Sequence, residues 1–214
     1  MNRAAPPAVR RAVVTVCRRL YERGLIAGQD GNVSVRLTPN TVLITPAGMS
    51  KVDVRPQDLV VMTLDGAHPR RGRAPSSEHR LHLALYAARP DVGAVVHAHP
   101  PTATGFAVAG ESLPYDALAE LVYNVGPVPL VPFAMPGSAA LGESAVYGMG
   151  SAARAALLAN HGAVTVGATL VEAHQRMESL EHAARIVLAA RQLGTVTRLA
   201  PGDVRALEGL RGTP

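Results

Sequence analysis

The sequence predicts an α/β fold of layered helices and sheet, and three observations lead there. Segments with helical apolar spacing alternate with short runs of strand composition along the chain. The chain has 214 residues, 48% of them apolar, which suffices for one buried core, and no linker-like break divides it, so we expect a single domain over 1–214. Tryptophan is absent and only two phenylalanines occur, so the core must be packed from Ala, Val and Leu rather than from large rings.

In chain order, apolar residues at Val9, Ala12, Val13, Val16 and Leu20 have helical spacing, and Gly24 is a stop signal; the spacing predicts a helix over 9–23. Alternation over 32–37 and 41–45, separated by Pro39-Asn40, predicts a hairpin, and 59–63 a third strand running into the turn Asp65-Gly66. Ser76 or Ser77 is a natural N-cap for a helix with Leu81, Ala84, Leu85 and Ala88 on one face, which Pro90 forbids from continuing. Residues 92–99 have strand composition and are closed by Pro100-Pro101; a helix or loop over 102–110 follows. A strand near 127–133 and a helix over 143–157 come next, then a strand over 156–166 interrupted by the turn Asn160-His161-Gly162. Thr169 and Glu172 form a capping box for a helix that carries Ala173, Met177, Leu180, Ala184 and Val187 on one stripe.

Composition excludes several classes of function. A single cysteine, Cys17, rules out an internal disulfide or a thiolate metal cage, so any metal must sit on histidine and carboxylate. The apolar stretch near the N-terminus is broken by Arg18 and Arg19 too early for a signal segment or a membrane span, and we expect a cytoplasmic protein with no membrane partner. The 21 basic residues against 16 acidic give a net charge of +5, and all but Lys51 are arginine, whose planar fork suits phosphate or carboxylate ligands. The arginines are scattered and few aromatics are available to stack bases, which argues against nucleic acid.

His97 and His99, two apart in a strand, project from one face at neighbouring heights, as binding of one metal ion requires; hydrogen bonding of a polar face is the other reading of such a pair. The double proline places them at a strand end, and the surrounding segment is too apolar for a solvated face. His161 stands beside a turn glycine in a second apolar segment. Alone it reads as a core histidine, but a third histidine of like context completes the three-ligand set of a catalytic zinc site. His68, His79, His82, His174 and His182 read as loop or helix-surface residues. Glu78 suits the first turn of a helix, where the dipole favours an acid. Beside it, the backbone and hydroxyls of Ser76 and Ser77, with Gly31, Asn32 and Gly48 as further close-approach backbone, can hold a phosphate.

The strings GNVSVR (31–36), ITPAGMSK (44–51), PSSEHRLHLALYAARPDVGAVVHAHPP (75–101) and LLANHGAVTVG (157–167) resemble, in order and at matching separations, the class II (fuculose-phosphate) aldolase and adducin family over about residues 8–193. The resemblance implies a three-layer α/β/α fold around a central, largely antiparallel sheet, and a homotetramer with active sites at subunit boundaries. It implies zinc, or manganese or cobalt in its place, on His97, His99 and His161, with Glu78 both a metal ligand and the proton-transfer group. It assigns the substrate phosphate to Gly31, Asn32, Gly48, Ser76 and Ser77. The implied reaction is reversible cleavage of a ketose 1-phosphate to dihydroxyacetone phosphate and an aldehyde through a metal-stabilised enediolate.

The chain departs from the pattern at the phosphate loop, through Ala47, and at the aldehyde end. Ala47 stands where the family has a threonine, one family tyrosine falls near Leu118, and the tail 205–214 has no tyrosine; Glu120 and Tyr123 are the nearby polar candidates for a substitute acid. These departures leave open a sugar-acid phosphate decarboxylase, a methylthioribulose-phosphate-type dehydratase and a pentulose-phosphate 4-epimerase. A non-enzymatic adducin-like scaffold predicts eroded ligands, whereas the three histidines and Glu78 are intact.

Overall fold

The computed structural model describes residues 5–69 and 71–210; the ends of the expected 1–214 domain, 1–4 and 211–214, lie outside them. Helix α1 (Pro7–Glu22) starts with proline at its first position, where no amide hydrogen is missed, and buries Val13, Val16, Cys17 and Leu20; Gly24 follows at φ 67°. Strands β1 (Asn32–Thr38), β2 (Thr41–Ile44) and β3 (Val60–Thr63) form an antiparallel meander. Helix α2 (His79–Ala88) leads to β4 (Ala94–Ala98), α3 (Pro101–Val108), α4 (Ala119–Asn124) and β5 (Leu130–Val131). Then come α5 (Ala139–Met149), β6 (Ala155–Leu158), β7 (Gly162–Gly167), α6 (Leu170–Leu193) and α7 (Pro201–Gly209).

The seven strands make one sheet in the order β3-β2-β1-β4-β7-β6-β5, antiparallel except where β5 meets β6. Because successive side chains alternate between faces, the sheet sorts its apolar residues into two cores. Val33, Ala94, Val96 and Ala98 join residues of α1, α3, α4 and α6; Val42, Val95, Val164 and Val166 join residues of α2 and α5. These are the three layers expected from the resemblance. No helix among the described residues is long and apolar enough to cross a membrane.

Half of the capping box forms: Thr169 Oγ1 accepts the Glu172 N–H at 3.2 Å, whereas the Glu172 carboxylate accepts the N–H of Ala168 (3.4 Å) in place of that of Thr169; the stripe Ala173, Met177, Leu180, Ala184 and Val187 is buried. Three expectations need correction. The helix read over 143–157 ends at Met149, where Gly150 takes φ 54°; the strand read from 156 starts at Ala155, and its uniform apolar character carries no period to mark it off from the helix before it. Neither Ser76 nor Ser77 is the N-cap of α2; Glu78 is. The Ser76 N–H is spent on Thr45 O (3.0 Å) and Pro75 bridges to Pro46, and a turn closed by His79 N–H on Ser76 O (3.0 Å) then leads into the helix. Finally, His82 and His174 are buried rather than surface residues, and α7 occupies a tail in which no helix was read.

Candidate active site and metal centre

The site forms where β4 runs out. On β1, Asn32, Ser34 and Arg36 point to the α2 side of the sheet, and Asn32 pairs across the strands with His97 of β4. His99 lies just past the strand end, its N–H held by Leu25 O (3.0 Å), so it turns back toward His97. His161 sits in the tight β6–β7 turn, preceded by Asn160 at φ 54°. Glu78 approaches from the start of α2. His97 is fully buried, Glu78 is 8% exposed, and His99 and His161 are half-buried.

Four groups converge. His97 Nε2 lies 3.0 Å from Glu78 Oε2, His161 Nε2 lies 3.1 Å from Glu78 Oε1, and His99 Nε2 lies 3.1 Å from His97 Nε2. The candidate ligand atoms all fall within 4.8 Å of one another, and no other cluster of three or more such groups occurs among the described residues.

The hydrogen bonding around the cluster tests whether a cation fits. His97 Nδ1 faces the carbonyl of Ala163 at 2.9 Å and must donate to it, which in a neutral ring leaves a bare lone pair on Nε2 aimed at the Glu78 carboxylate. His99 Nδ1 faces Asp30 Oδ2 at 3.4 Å, and its Nε2 again points inward. Glu78 Oε1 is buried without a hydrogen bond. Acceptors turned on one another need a cation between them, and three imidazole nitrogens with one carboxylate suit a divalent ion with a coordination position to spare. Burial alone would raise the Glu78 carboxyl, but positive charge placed at His97 and His161 outweighs it and holds the carboxyl well below the ordinary carboxylate range, so the carboxylate favours a cation among these rings. Burial, then the neighbouring His97 and His161, lowers His99 to about 4, so its ring is neutral, the metal-binding form.

Two glycines let the backbones close on this cluster. At Gly162 an added Cβ would fall 2.6 Å from Ala98 O and 2.6 Å from His99 Cδ2; at Gly31, with φ 70°, it would fall 2.9 Å from His97 O. Gly162→Ala should therefore push β7 off the histidine pair. We expect destabilisation of about 1–3 kcal/mol together with weaker metal binding, checked by thermal unfolding and metal titration of the same samples; unchanged values in both would show that this contact does not shape the site.

The residues read as phosphate-holding lie on three stitched segments. Thr45 and Val33 exchange hydrogen bonds (3.0 and 3.2 Å), and Ala47 N–H donates to Ala74 O (3.0 Å). This sets the Gly48 loop beside the Ser76–Ser77 turn and the start of β1. Asn32 and Ser76 are buried, whereas Gly48 and Ser77 are exposed. Asn32 Nδ2 also donates to Glu78 Oε2 at 3.0 Å. Glu120 and Tyr123 are exposed on α4, which packs against α6 and α7.

Several groups around the site went unread in the sequence. Lys51, the one lysine of the chain, is buried and donates to Gln29 O (2.7 Å) and Met49 O (2.9 Å), tying the loop before β1 to the Gly48 loop. Glu181 of α6, also buried, accepts the N–H groups of Thr102 (3.0 Å) and Ala103 (2.9 Å) and so caps α3 directly after the histidine strand. Asp30, Ser34, His82 and Tyr86 likewise gave no motif. The available signal was spacing: 78, 82 and 86 share a helix face, and 32 and 34 share a strand face.

Comparison with known proteins agrees with this geometry. The chain is 34% identical to the 3-oxo-tetronate 4-phosphate decarboxylase of Haemophilus influenzae, over 94% of this chain and 96% of that one. It is 34% identical to the 5-deoxy-D-ribulose 1-phosphate aldolase of Bacillus thuringiensis serovar kurstaki, over 91% and 90%. A solved L-fuculose 1-phosphate aldolase superposes with a TM-score of 0.91 at 30% identity, covering 98% of each chain. The family described as Class II Aldolase and Adducin N-terminal domain matches residues 11–188. With the fold, the converging ligands and these likenesses in agreement, the chain belongs to the class II aldolase and adducin family, whose enzymes are metal-dependent carbon–carbon lyases.

Proposed function

We propose that the protein is an aldolase that reversibly cleaves a ketose 1-phosphate of the L-fuculose 1-phosphate type into dihydroxyacetone phosphate and an aldehyde. The observation that carries this reading is the approach of three imidazole nitrogens and the Glu78 carboxylate to within 4.8 Å of one another beside the Gly31, Gly48 and Ser76 segments. His97, His99, His161 and Glu78 hold the metal, which we take to be zinc. When bound, such an ion supplies positive charge to the substrate oxygens that become negative as the carbon–carbon bond breaks.

The chain's own residues do the rest. Backbone and hydroxyl donors of Gly31, Asn32, Gly48, Ser76 and Ser77 hold the phosphate, which fixes the position of the carbonyl carbon. Glu78 carries the proton to or from the neighbouring carbon, through an oxygen that makes no hydrogen bond of its own. The proposal extends to a single domain working in the cytoplasm as a homotetramer. Apolar side chains left exposed on this chain, Val108, Phe133, Met135 and Leu193 among them, support assembly.

A second reading, decarboxylation of a 3-oxo sugar-acid phosphate, is favoured by the likeness over 94% of this chain to the 3-oxo-tetronate 4-phosphate decarboxylase and by Leu118 standing near the place of a tyrosine of the resembling family. Loss of carbon dioxide from such an acid leaves the same three-carbon fragment, again needing a proton from Glu78. Purified protein with measured metal content should release dihydroxyacetone phosphate from L-fuculose, L-rhamnulose or 5-deoxyribulose 1-phosphate, and chelator should abolish the release. Product formed only from 3-oxo-tetronate 4-phosphate, with carbon dioxide, would transfer the assignment to the second reading; no product from any of them would remove both.

A further inference from the structure

Behind Glu78, a file of buried side chains runs between β1 and α2. Asn32 Nδ2 donates to Glu78 Oε2 (3.0 Å), Asn32 Oδ1 meets His82 Nε2, His82 Nδ1 lies 2.6 Å from Ser34 Oγ, and Ser34 Oγ lies 2.9 Å from Tyr86 OH. Asn32 is 3% exposed, Tyr86 1%, and Ser34 and His82 not at all. The arrangement follows from two periods: Glu78, His82 and Tyr86 are four apart on the helix, and Asn32 and Ser34 two apart on the strand, so the two rows interleave.

The donors in this file have one consistent order. An ionised carboxylate only accepts, so Asn32 turns its amide nitrogen to Glu78 and its carbonyl to His82. That carbonyl requires a hydrogen on His82 Nε2. Burial lowers His82 to about 3, so its ring is neutral and Nδ1 is bare. Nδ1 accepts the Ser34 hydroxyl hydrogen, and Ser34 Oγ accepts that of Tyr86, whose phenol burial pushes well up. Every hydrogen points toward Glu78, and each bond polarises the next.

We propose that His82 is a positioning residue for Glu78: it locks the Asn32 amide so that one lone pair of Oε2 is occupied, leaving Oε1 as the oxygen free to take and return the proton. Ser34 and Tyr86 act one step further back by selecting the His82 tautomer. Oε1 makes no hydrogen bond, although His161 Nε2 is 3.1 Å away. The inference rests on the reading of Glu78 as the proton-transfer group.

The test has one spectroscopic arm and one kinetic arm. In protein labelled with ¹⁵N-histidine, long-range ¹H–¹⁵N correlation should show His82 as a neutral ring protonated on Nε2, and Ser34→Ala should shift the Nδ1 resonance as its donor is lost while leaving it unprotonated. A ring protonated on Nδ1, or on both nitrogens, overturns the proposal, whatever the substrate and even if no variant at position 82 folds. In the metal-loaded enzyme, His82→Phe should lower kcat by about 10–100-fold, as loss of supporting hydrogen bonds behind a metal site does, with metal content and KM unchanged. His82→Gln, which keeps a donor for Asn32 and an acceptor for Ser34, should recover most of that loss. An unchanged kcat in His82→Phe, or no recovery in His82→Gln, reduces His82 to a structural residue. If Glu78→Gln also leaves kcat unchanged, the failure belongs to the assignment of Glu78 and not to the file behind it.

Discussion

Glu78→Gln is expected to lower kcat by about 10²–10⁴-fold, the range for removal of a general acid–base group, while the protein keeps its metal. The amide has the shape of the carboxylate and can still present an oxygen to the cluster, and three histidines remain. What it cannot do is take up a proton and give it back. Single-turnover kinetics beside metal analysis of the same preparation would check this. A variant with wild-type kcat would exclude Glu78 from proton transfer, and a variant without metal would show that the carboxylate acts chiefly as a ligand. KM should move little, because the donors proposed to hold the phosphate, on Gly31, Gly48 and Ser76, are untouched.

His97→Ala should have the larger effect on the metal itself. This ring is fully buried, lies 3.0 Å from Glu78 and 3.1 Å from His99, and is oriented by the Ala163 carbonyl, so its removal takes one ligand and the backstop of two others. Changing groups that merely support ligands costs about 10–100-fold in affinity, and losing the ligand should exceed that. Metal content should fall to background and cleavage with it. His182→Ala, an exposed position on α6, should leave both at wild-type levels. Full metal occupancy in His97→Ala would mean that the four-group cluster is not the metal site.

The same residues show how far a sequence can be read. His97, His99 and Glu78 stood out because their types and neighbours are unusual for the element each occupies: imidazoles in an apolar strand closed by two prolines, an acid beside two serines at a helix start. The long helix α6 was legible from its Thr169 cap and apolar stripe, since both are local features. The end of α5 was not, because the strand that follows it, Ala155–Leu158, is buried on both faces and continues the helix's apolar composition without a change of period. The sequence placed the serines at the start of α2 but not the cap, which is decided by a hydrogen bond from Ser76 to Thr45, thirty-one residues away.

What the sequence alone determined is therefore the alternation of elements, the ligand types and the resemblance of four ordered motifs to one family, all carried by local spacing and residue chemistry. Only the tertiary structure decided that His82 is a buried neutral ring rather than a surface residue, that Asn32 bridges it to Glu78, and that Lys51 and Glu181 brace the loops around the histidines. Each of those depends on which strand lies beside which helix, and the pairing of β1 with β4 under α2 brings together residues 32, 78 and 97, which no local window contains.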